Sequence, residues 1–212
     1  MFTTAGRDNL LGNVDSLFAA LLTAVSNLRT GSVTEANYTG YSATRPGITF
    51  GSAADTSPAG ARRRQNSSAV TFGTNTGSNQ DIIAVGFFTA SSGGTCRFID
   101  YLSSTSAFVA VAQDGSPDQF YAPAHGLAAD QRVRLVAAAG APIPTGVSEN
   151  TDYYVMSTDL ATNAFRLSTA VGNSGPVSLT TWGACQVIPI NPVTVATGAT
   201  PEFAVGALAV EL

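Results

Sequence analysis

The only histidine of the chain is His125, so any imidazole-based catalytic group would have to be built on it. It lies between Ala124 and Gly126, a context that indicates a turn. Because buried polar groups are normally hydrogen-bonded, we expect its ring nitrogen to be satisfied within the fold. We therefore predict a structural role for this residue.

The acidic residues and the cysteines offer the other routes to chemistry. The densest acidic group comprises Asp114, Asp118, Asp130, Glu149, Asp152 and Asp159. The spacing of these acidic residues indicates neither a glycosidase carboxylate pair nor the alternating acids of a calcium-binding loop. The phosphate-binding loops and the HExxH zinc motif are missing too. Cys96 and Cys185 lack metal-type spacing, so we expect free, buried thiols. The sequence thus predicts no enzyme, no catalytic residue, no metal and no cofactor.

The composition favours a β-protein that works by binding. Apolar residues make up 44% of the 212-residue chain and charged residues only 11%, against roughly 25% in ordinary globular domains. Glycine is abundant and lysine is absent, so every basic residue is an arginine, the residue that suits interfaces better. The net charge of −4 argues against direct nucleic-acid binding.

An apolar stripe near the start predicts a helix. Its members are Leu10, Leu11, Val14, Leu17, Phe18, Leu21, Leu22, Val25 and Leu28, which recur at spacings of three and four. We assign residues 1–31 to this helical segment. Its apolar face, with Leu17, Leu21 and Val25, either docks on the chain's own β-domain or contacts another subunit. Polar interruptions predict no membrane span, and Met1–Leu11 predicts no signal peptide.

From Tyr38 onward the pattern changes to short strands separated by turn residues. The most apolar of them, Ile82–Phe88, is typical of a central strand. Regularly spaced short strands indicate an all-β fold, here a β-sandwich or jelly roll with an N-terminal helix and an inserted small β-module.

A polar loop is predicted between Ala54 and Asn66. Arg62, Arg63 and Arg64 form its charge run. The run is a solvated loop, an arm that binds an acidic neighbouring subunit or, as a third alternative, a nucleic-acid contact. These three arginines are candidate subunit contacts.

The sequence pattern changes at Asp114 and returns near Pro189 to the alternating short strands of the preceding part. We infer a β-module at residues 114–189, inserted into a domain formed by residues 32–113 and 190–212. Insertion at a loop costs little entropy, so this arrangement is physically easy.

The outer part resembles small virion proteins of tailed bacteriophages. The motifs that carry the resemblance are Tyr38–Tyr41, Phe50–Gly51, Gly86–Phe88 with Gly93–Gly94, and Pro201–Leu212. Such proteins include capsid cement or decoration proteins, head fibres and tail proteins.

The inserted part is similar to a module of phage tail and adhesin-like proteins. Its motifs are His125–Leu127 with Asp130, Val133 and Leu135; Ile143–Val147 with Thr151–Val155; and Phe165–Thr169. Gly126 and Gly146 are expected in turns with positive φ, and Tyr153 and Tyr154 on opposite faces of one strand.

Together the resemblances imply a virion structural protein, assembled in the cytoplasm of the bacterial host. Our first reading is a capsid cement protein that stabilises the head as a homotrimer bound to the major capsid protein or other virion proteins, because a trimer suits local three-fold axes. The alternative is a head fibre, tail fibre or baseplate protein that contacts the host surface. Neither reading involves a membrane or direct nucleic-acid contact.

Overall fold

The computed structural model describes residues 16–56, 61–103, 106–115, 118–138 and 141–211. Within these residues every regular element is a β-strand or an isolated bridge, so the predicted all-β class is confirmed. The chain divides into two compact units. The first comprises the residues up to Val25 together with Arg29–Asp100 and Val193–Leu212, and the second comprises Ser26–Leu28 and Tyr101–Pro192.

The first unit contains most of the short strands. They are β1 (Leu17–Asn27), β2 (Ser32–Glu35), β3 (Gly47–Ile48), β4 (Ala54–Thr56), β5 (Ala61–Gln65), β6 (Val70–Thr71), β7 (Gln80–Ile82), β8 (Ala84–Phe88), β9 (Cys96–Tyr101), β17 (Val193–Val195), β18 (Glu202–Phe203) and β19 (Ala209–Glu211). The largest sheet has the order β2-β1-β8-β9, with β3 also paired to β1. The C-terminal strands β17, β18 and β19 pair antiparallel with β7, β6 and β5 in turn. A sandwich or jelly-roll arrangement of these sheets stays a prediction.

The predicted N-terminal helix is wrong for Leu17–Asn27, which forms the long strand β1. The earlier part of the stripe, residues 1–15, lies outside the described residues. In β1, Leu21 lies opposite Val85 of the equally apolar β8, and consecutive residues are buried on both faces. A run in which almost every position is apolar satisfies helical spacing without being helical, because periodicity cannot separate a buried strand from a buried helix.

The second unit is built from one sheet. Its strands are β10 (Phe108–Gln113), β11 (Gln119–Tyr121), β12 (Arg132–Ala137), β13 (Asp152–Val155), β14 (Ala164–Phe165), β15 (Leu167–Ser168) and β16 (Gly183–Ile190). The strand order is β14-β11-β10-β16-β12-β13-β15. The two end strands of this order, β14 and β15, are separated along the chain only by Arg166, so the sheet curls until it is nearly closed.

The core of the second unit lies inside this curl. Fully buried aromatic and aliphatic side chains fill it, with Phe120 stacked on Phe165 at a ring-centroid distance of 5.4 Å. Because side chains alternate along a strand, each strand also presents an outer face that does not belong to the core. Tyr153 is buried and Tyr154 only half-buried, as the alternation predicts.

The boundaries of the second unit differ from residues 114–189. Strand β10, which the sequence analysis assigned to the preceding domain, hydrogen-bonds to β11 and β16 and therefore belongs to the second unit. The two predicted turn glycines are confirmed, with φ of +67° at Gly126 and +106° at Gly146. At Gly146 a Cβ would lie 2.0 Å from the carbonyl oxygen of Ser178, so only glycine fits there. Among the described residues no helix is long and apolar enough to span a membrane.

Candidate functional site

His125 is part of the core of the second unit. Its ring is buried and packs against Phe165 at a centroid distance of 4.9 Å. Nδ1 accepts a hydrogen bond from the Leu127 amide at 3.0 Å, and Nε2 lies 2.8 Å from the carbonyl oxygen of Ala161, to which it donates in the matching tautomer. Both ring nitrogens are therefore engaged, and the expected hydrogen bonding of the ring within the fold is confirmed.

The acidic residues do not form a shared site. Within the described part of the chain, no group of three or more histidine, cysteine or acidic side chains is placed to hold a metal ion. Asp118 accepts hydrogen bonds from the amides of Gly115 and Leu179, and the Gly115 bond is the main reason that its pKa is lowered. Asp130 accepts a bond from the Gly172 amide. These two carboxylates hold loops in place.

One charged cluster sits on the outer face of the sheet, and the sequence analysis missed its pairing. Asp152 accepts hydrogen bonds from both Arg132 and Arg134, while Arg134 Nη1 lies 3.0 Å from the Tyr101 hydroxyl. Burial of Asp152 works against its ionisation, but the hydrogen bonds from the two arginines outweigh burial and lower its pKa. Register could have indicated the pair, because Arg134 lies directly opposite Asp152 on β12 and β13.

An open cleft of about 540 Å³ adjoins this cluster. It is lined by Gly126, Ala128, Ala129, Asp130, Gln131, Arg132, Tyr154, Ile190, Asn191 and Pro192. Gln131 Nε2 donates to the Asn191 side-chain oxygen at 3.0 Å, and Arg132 is bound to Asp152. Much of its polar lining is therefore committed to bonds within the protein.

The apolar residues predicted as candidate contacts are part of the first unit's core. Leu17, Leu21 and Val25 are buried within the single chain on strand β1. Of the two alternatives left open by their sequence, packing within the chain accounts for the burial of these side chains.

The three arginines Arg62, Arg63 and Arg64 lie on a strand and not in the predicted loop. Strand β5 is the middle strand of the sheet β19-β5-β4, because its residues 61–63 pair with β4 and its residues 63–65 pair with β19. Arg64 Nε donates to the carbonyl oxygen of Gly51 at 2.8 Å, Arg63 is half-buried, and the Arg62 side chain lies outside the described part. Their role as subunit contacts stays a prediction.

The two cysteines are free thiols, as expected, but the expected burial holds for Cys185 and is wrong for Cys96. Cys185 is fully buried in the core of the second unit, and burial raises its pKa to about 12. Cys96 is half-buried, and its pKa is raised mainly by burial as well. A high pKa suppresses the reactive thiolate, so neither residue has the character of a nucleophile.

Two motifs of the first unit, Tyr38–Tyr41 and the motif that begins at Pro201, come together in space through Phe72. Tyr38 packs edge-on against Tyr41, Tyr41 stacks on Phe72, and Phe72 packs edge-on against Phe203 of the C-terminal segment. The Tyr38 hydroxyl donates to the Gly73 carbonyl oxygen at 2.9 Å. These contacts explain why aromatic residues recur in motifs far apart in sequence: they join the C-terminal segment to the rest of the unit.

An exposed apolar strip on the outer face of the second unit was also missed. Val109 is 58% exposed, Val111 47%, Tyr121 39% and Trp182 65%. Val109 and Val111 alternate with buried alanines along β10. The alternation in the sequence FVAVAQ could therefore have indicated an exposed apolar row. An antiparallel sheet normally presents polar side chains on its solvent side, so this strip suits protein contact better than hydration.

Comparison with known proteins identifies the class of the chain. A family model described as podophage GP4 fiber I protein gp80 matches residues 7–113, just over half of the 212 residues. No curated protein and no solved structure matches the chain. The matched range contains the motifs at Tyr38–Tyr41, Phe50–Gly51 and Gly86–Gly94 that resemble tailed-phage proteins. The chain therefore belongs to the podophage fiber I family, and it is a structural component of a bacteriophage virion.

Proposed function

We propose that this protein is a fibre component that contacts the host-cell surface and acts as a homotrimer without enzymatic activity. The observation that carries the proposal is the match of residues 7–113 to a podophage fibre family. This reading was the alternative in the sequence analysis, and it now takes precedence over capsid cement. Attachment to other virion proteins, after assembly in the host cytoplasm, is part of the same proposal.

The second unit supports a binding role. Its only histidine is fully engaged in internal hydrogen bonds, and its thiol is buried, which fits a protein that works by contact and not by covalent chemistry. Three copies held together can engage a repetitive surface at once, and linkage of this kind raises the effective concentration of each further contact.

Particles that lack the protein test the proposal. An amber mutant of its gene, grown in suppressing and non-suppressing hosts, yields complete and depleted particles of the same phage. We expect depleted particles to adsorb to cells at least about tenfold less well, a loss of about 1.4 kcal/mol in apparent affinity. We expect complete and depleted particles to release DNA at the same temperature.

The capsid cement reading predicts the opposite result. Depleted particles would then release DNA at a lower temperature and adsorb normally, and the fibre proposal would be abandoned. Quantitative mass spectrometry of complete particles is an independent check, since a cement protein covers the head in many copies whereas a fibre is present in few.

A further inference from the structure

We infer that the outer strip of the second unit, Val109, Val111, Tyr121 and Trp182, is the surface through which copies of this chain bind one another. The inference rests on the proposed homotrimer and adds the location of its contact. All four residues belong to the same compact unit. They are exposed in the single chain, unlike Leu17, Leu21 and Val25.

Strand register places the strip on one continuous face. Val111 lies opposite Tyr121 on one side and opposite Ala184 on the other, while Val109 lies opposite Gln186. Directly paired residues share a face of the sheet, so these side chains are neighbours. Trp182 comes two residues before Ala184, and the alternation of side chains places it at the end of the same row.

Among the described residues, the side chains that share the face with the strip by strand pairing are uncharged. The other side chains that register assigns to this face are Gln113, Gln119, Val136, Ala164, Ala184 and Gln186. The next row toward β13 contains Arg134, which lies opposite Ile188 and is bound to Asp152. In the described part of the chain, the region from β11 to the near side of β12 is thus apolar or amide-bearing, and Arg166, which follows β14, and Arg134 lie beyond it.

An uncharged face of this kind fits a second copy of itself. In a cyclic trimer identical side chains approach each other where a face lies on the three-fold axis, and any charge on such a face would meet like charges at a cost of several kcal/mol. The chain has a net charge of −4, yet none of that charge lies on the strip. Glutamine amides both donate and accept hydrogen bonds, so they are self-complementary, and exposed tyrosine and tryptophan are typical of interface centres.

A pair of matched variants of the full-length protein tests the inference. The first variant is Val109→Glu with Val111→Glu, which puts charges in the strip. The control is Val171→Glu with Val205→Glu, at positions that are 57% and 65% exposed but lie outside the strip. Because all four valines are exposed, both variants are expected to fold, and circular dichroism and thermal melting check this.

Sedimentation equilibrium then measures the oligomeric state of each protein. We expect the native chain and the control to be trimeric, and the strip variant to dissociate at least about 100-fold more readily, as for the loss of interface hot spots. A trimeric strip variant would overturn the inference and leave the homotrimer standing. A monomeric native chain would overturn both the inference and the proposed homotrimer. The adsorption experiment would still test the fibre role separately.

Tryptophan fluorescence gives a second readout because Trp182 is the only tryptophan. If copies cover the strip, Trp182 emission shifts to longer wavelength when the native protein is diluted into its monomeric range, and the strip variant shows the long-wavelength emission at every concentration. A short-wavelength emission that does not change on dissociation would mean that the chain itself covers Trp182, and the inference would fail.

Discussion

At the residue scale, single arginines organise local structure that sequence reasoning did not anticipate. Arg45 binds the carboxylate of Glu35, donates to the carbonyl oxygens of Ala90 and Gly93, and places its guanidinium carbon 3.7 Å from the centre of the Phe88 ring. A planar fork with five donors can make all these contacts at once, which a lysine ammonium cannot. Arg45 therefore holds the turn that contains the Gly93–Gly94 motif.

Asp152 provides a test at the same scale. Its pKa is lowered because the hydrogen bonds from Arg134 and Arg132 outweigh the opposing effect of burial. A carboxylate whose folded-state pKa is lowered stabilises the fold above its unfolded pKa, and the contribution is lost as the pH falls through the folded value. We expect Asp152→Asn to lower the free energy of unfolding by about 2–3 kcal/mol at neutral pH, because Arg134 is buried and loses a charged partner.

Urea denaturation over a pH series measures this effect. The difference between the native protein and Asp152→Asn should shrink progressively below pH 3.8, the ordinary pKa of the carboxyl group, as Asp152 becomes protonated in the native protein. Asp159→Asn is the control, because Asp159 pairs with Arg166 at the surface, where such pairs contribute little. A stability difference that is the same at every pH would show that the charge of Asp152 is not what matters.

At the element scale, β1 shows how partners decide secondary structure. An isolated run of Leu, Ala and Val has no stable strand structure, since the hydrogen bonds of a strand come from its neighbours. β8 pairs with Phe18–Leu22 and covers them with apolar side chains, while β2 and β3 pair with β1 on its other edge. The apolar part of β1 beside the apolar strand β8 forms the buried centre of the sheet.

The substitution Leu21→Ala tests the packing of this strand. Leu21 is buried opposite Val85, so its truncation leaves a cavity and should lower the free energy of unfolding by about 2–5 kcal/mol. Thr23→Ala is the matched control on the same strand, because Thr23 is only half-buried and its loss should cost less than about 1 kcal/mol. Equal effects of the two substitutions in thermal or urea unfolding would contradict the buried position of Leu21.

At the scale of the whole molecule, the second unit has the properties of an independent folding domain. Its core cluster consists only of residues within it, and its nearly closed sheet leaves little unpaired edge. We expect a fragment of residues 101–192 to fold alone, with a β-type circular dichroism spectrum and one cooperative thermal transition. Leu135→Ala in the fragment should lower its stability by about 2–5 kcal/mol, since Leu135 is fully buried.

The control within the fragment is Val171→Ala at an exposed position, which should leave the transition almost unchanged. A fragment that shows no cooperative transition would mean that residues outside 101–192 are needed for its stability. Leu28 is the first candidate, because its amide donates to the Asn150 side chain at 2.9 Å.

Much of the local structure follows from residue type alone. Gly126 and Gly146 mark turns because their backbone conformations are open to glycine and strained for other residues, and His125 beside the first of them is structural. The short alternating segments and the low charge content indicate an all-β binding protein, and short motifs around Tyr38 and Gly86 indicate a phage virion protein. Each of these signals is local, so each can be read without knowing what the segment packs against.

Long-range pairing decided the rest. Leu17–Asn27 became a strand because β2, β3 and β8 pair with it, and Arg62–Arg64 lie on a middle strand because β4 pairs with its first half and β19 with its second half. The sequence determined that Val109 and Val111 alternate with Ala110 and Ala112, but only the curl of the sheet decided which side became core and which stayed exposed. Hydrogen-bond partners that are distant in sequence are supplied by the tertiary structure, and no pattern within one segment specifies them.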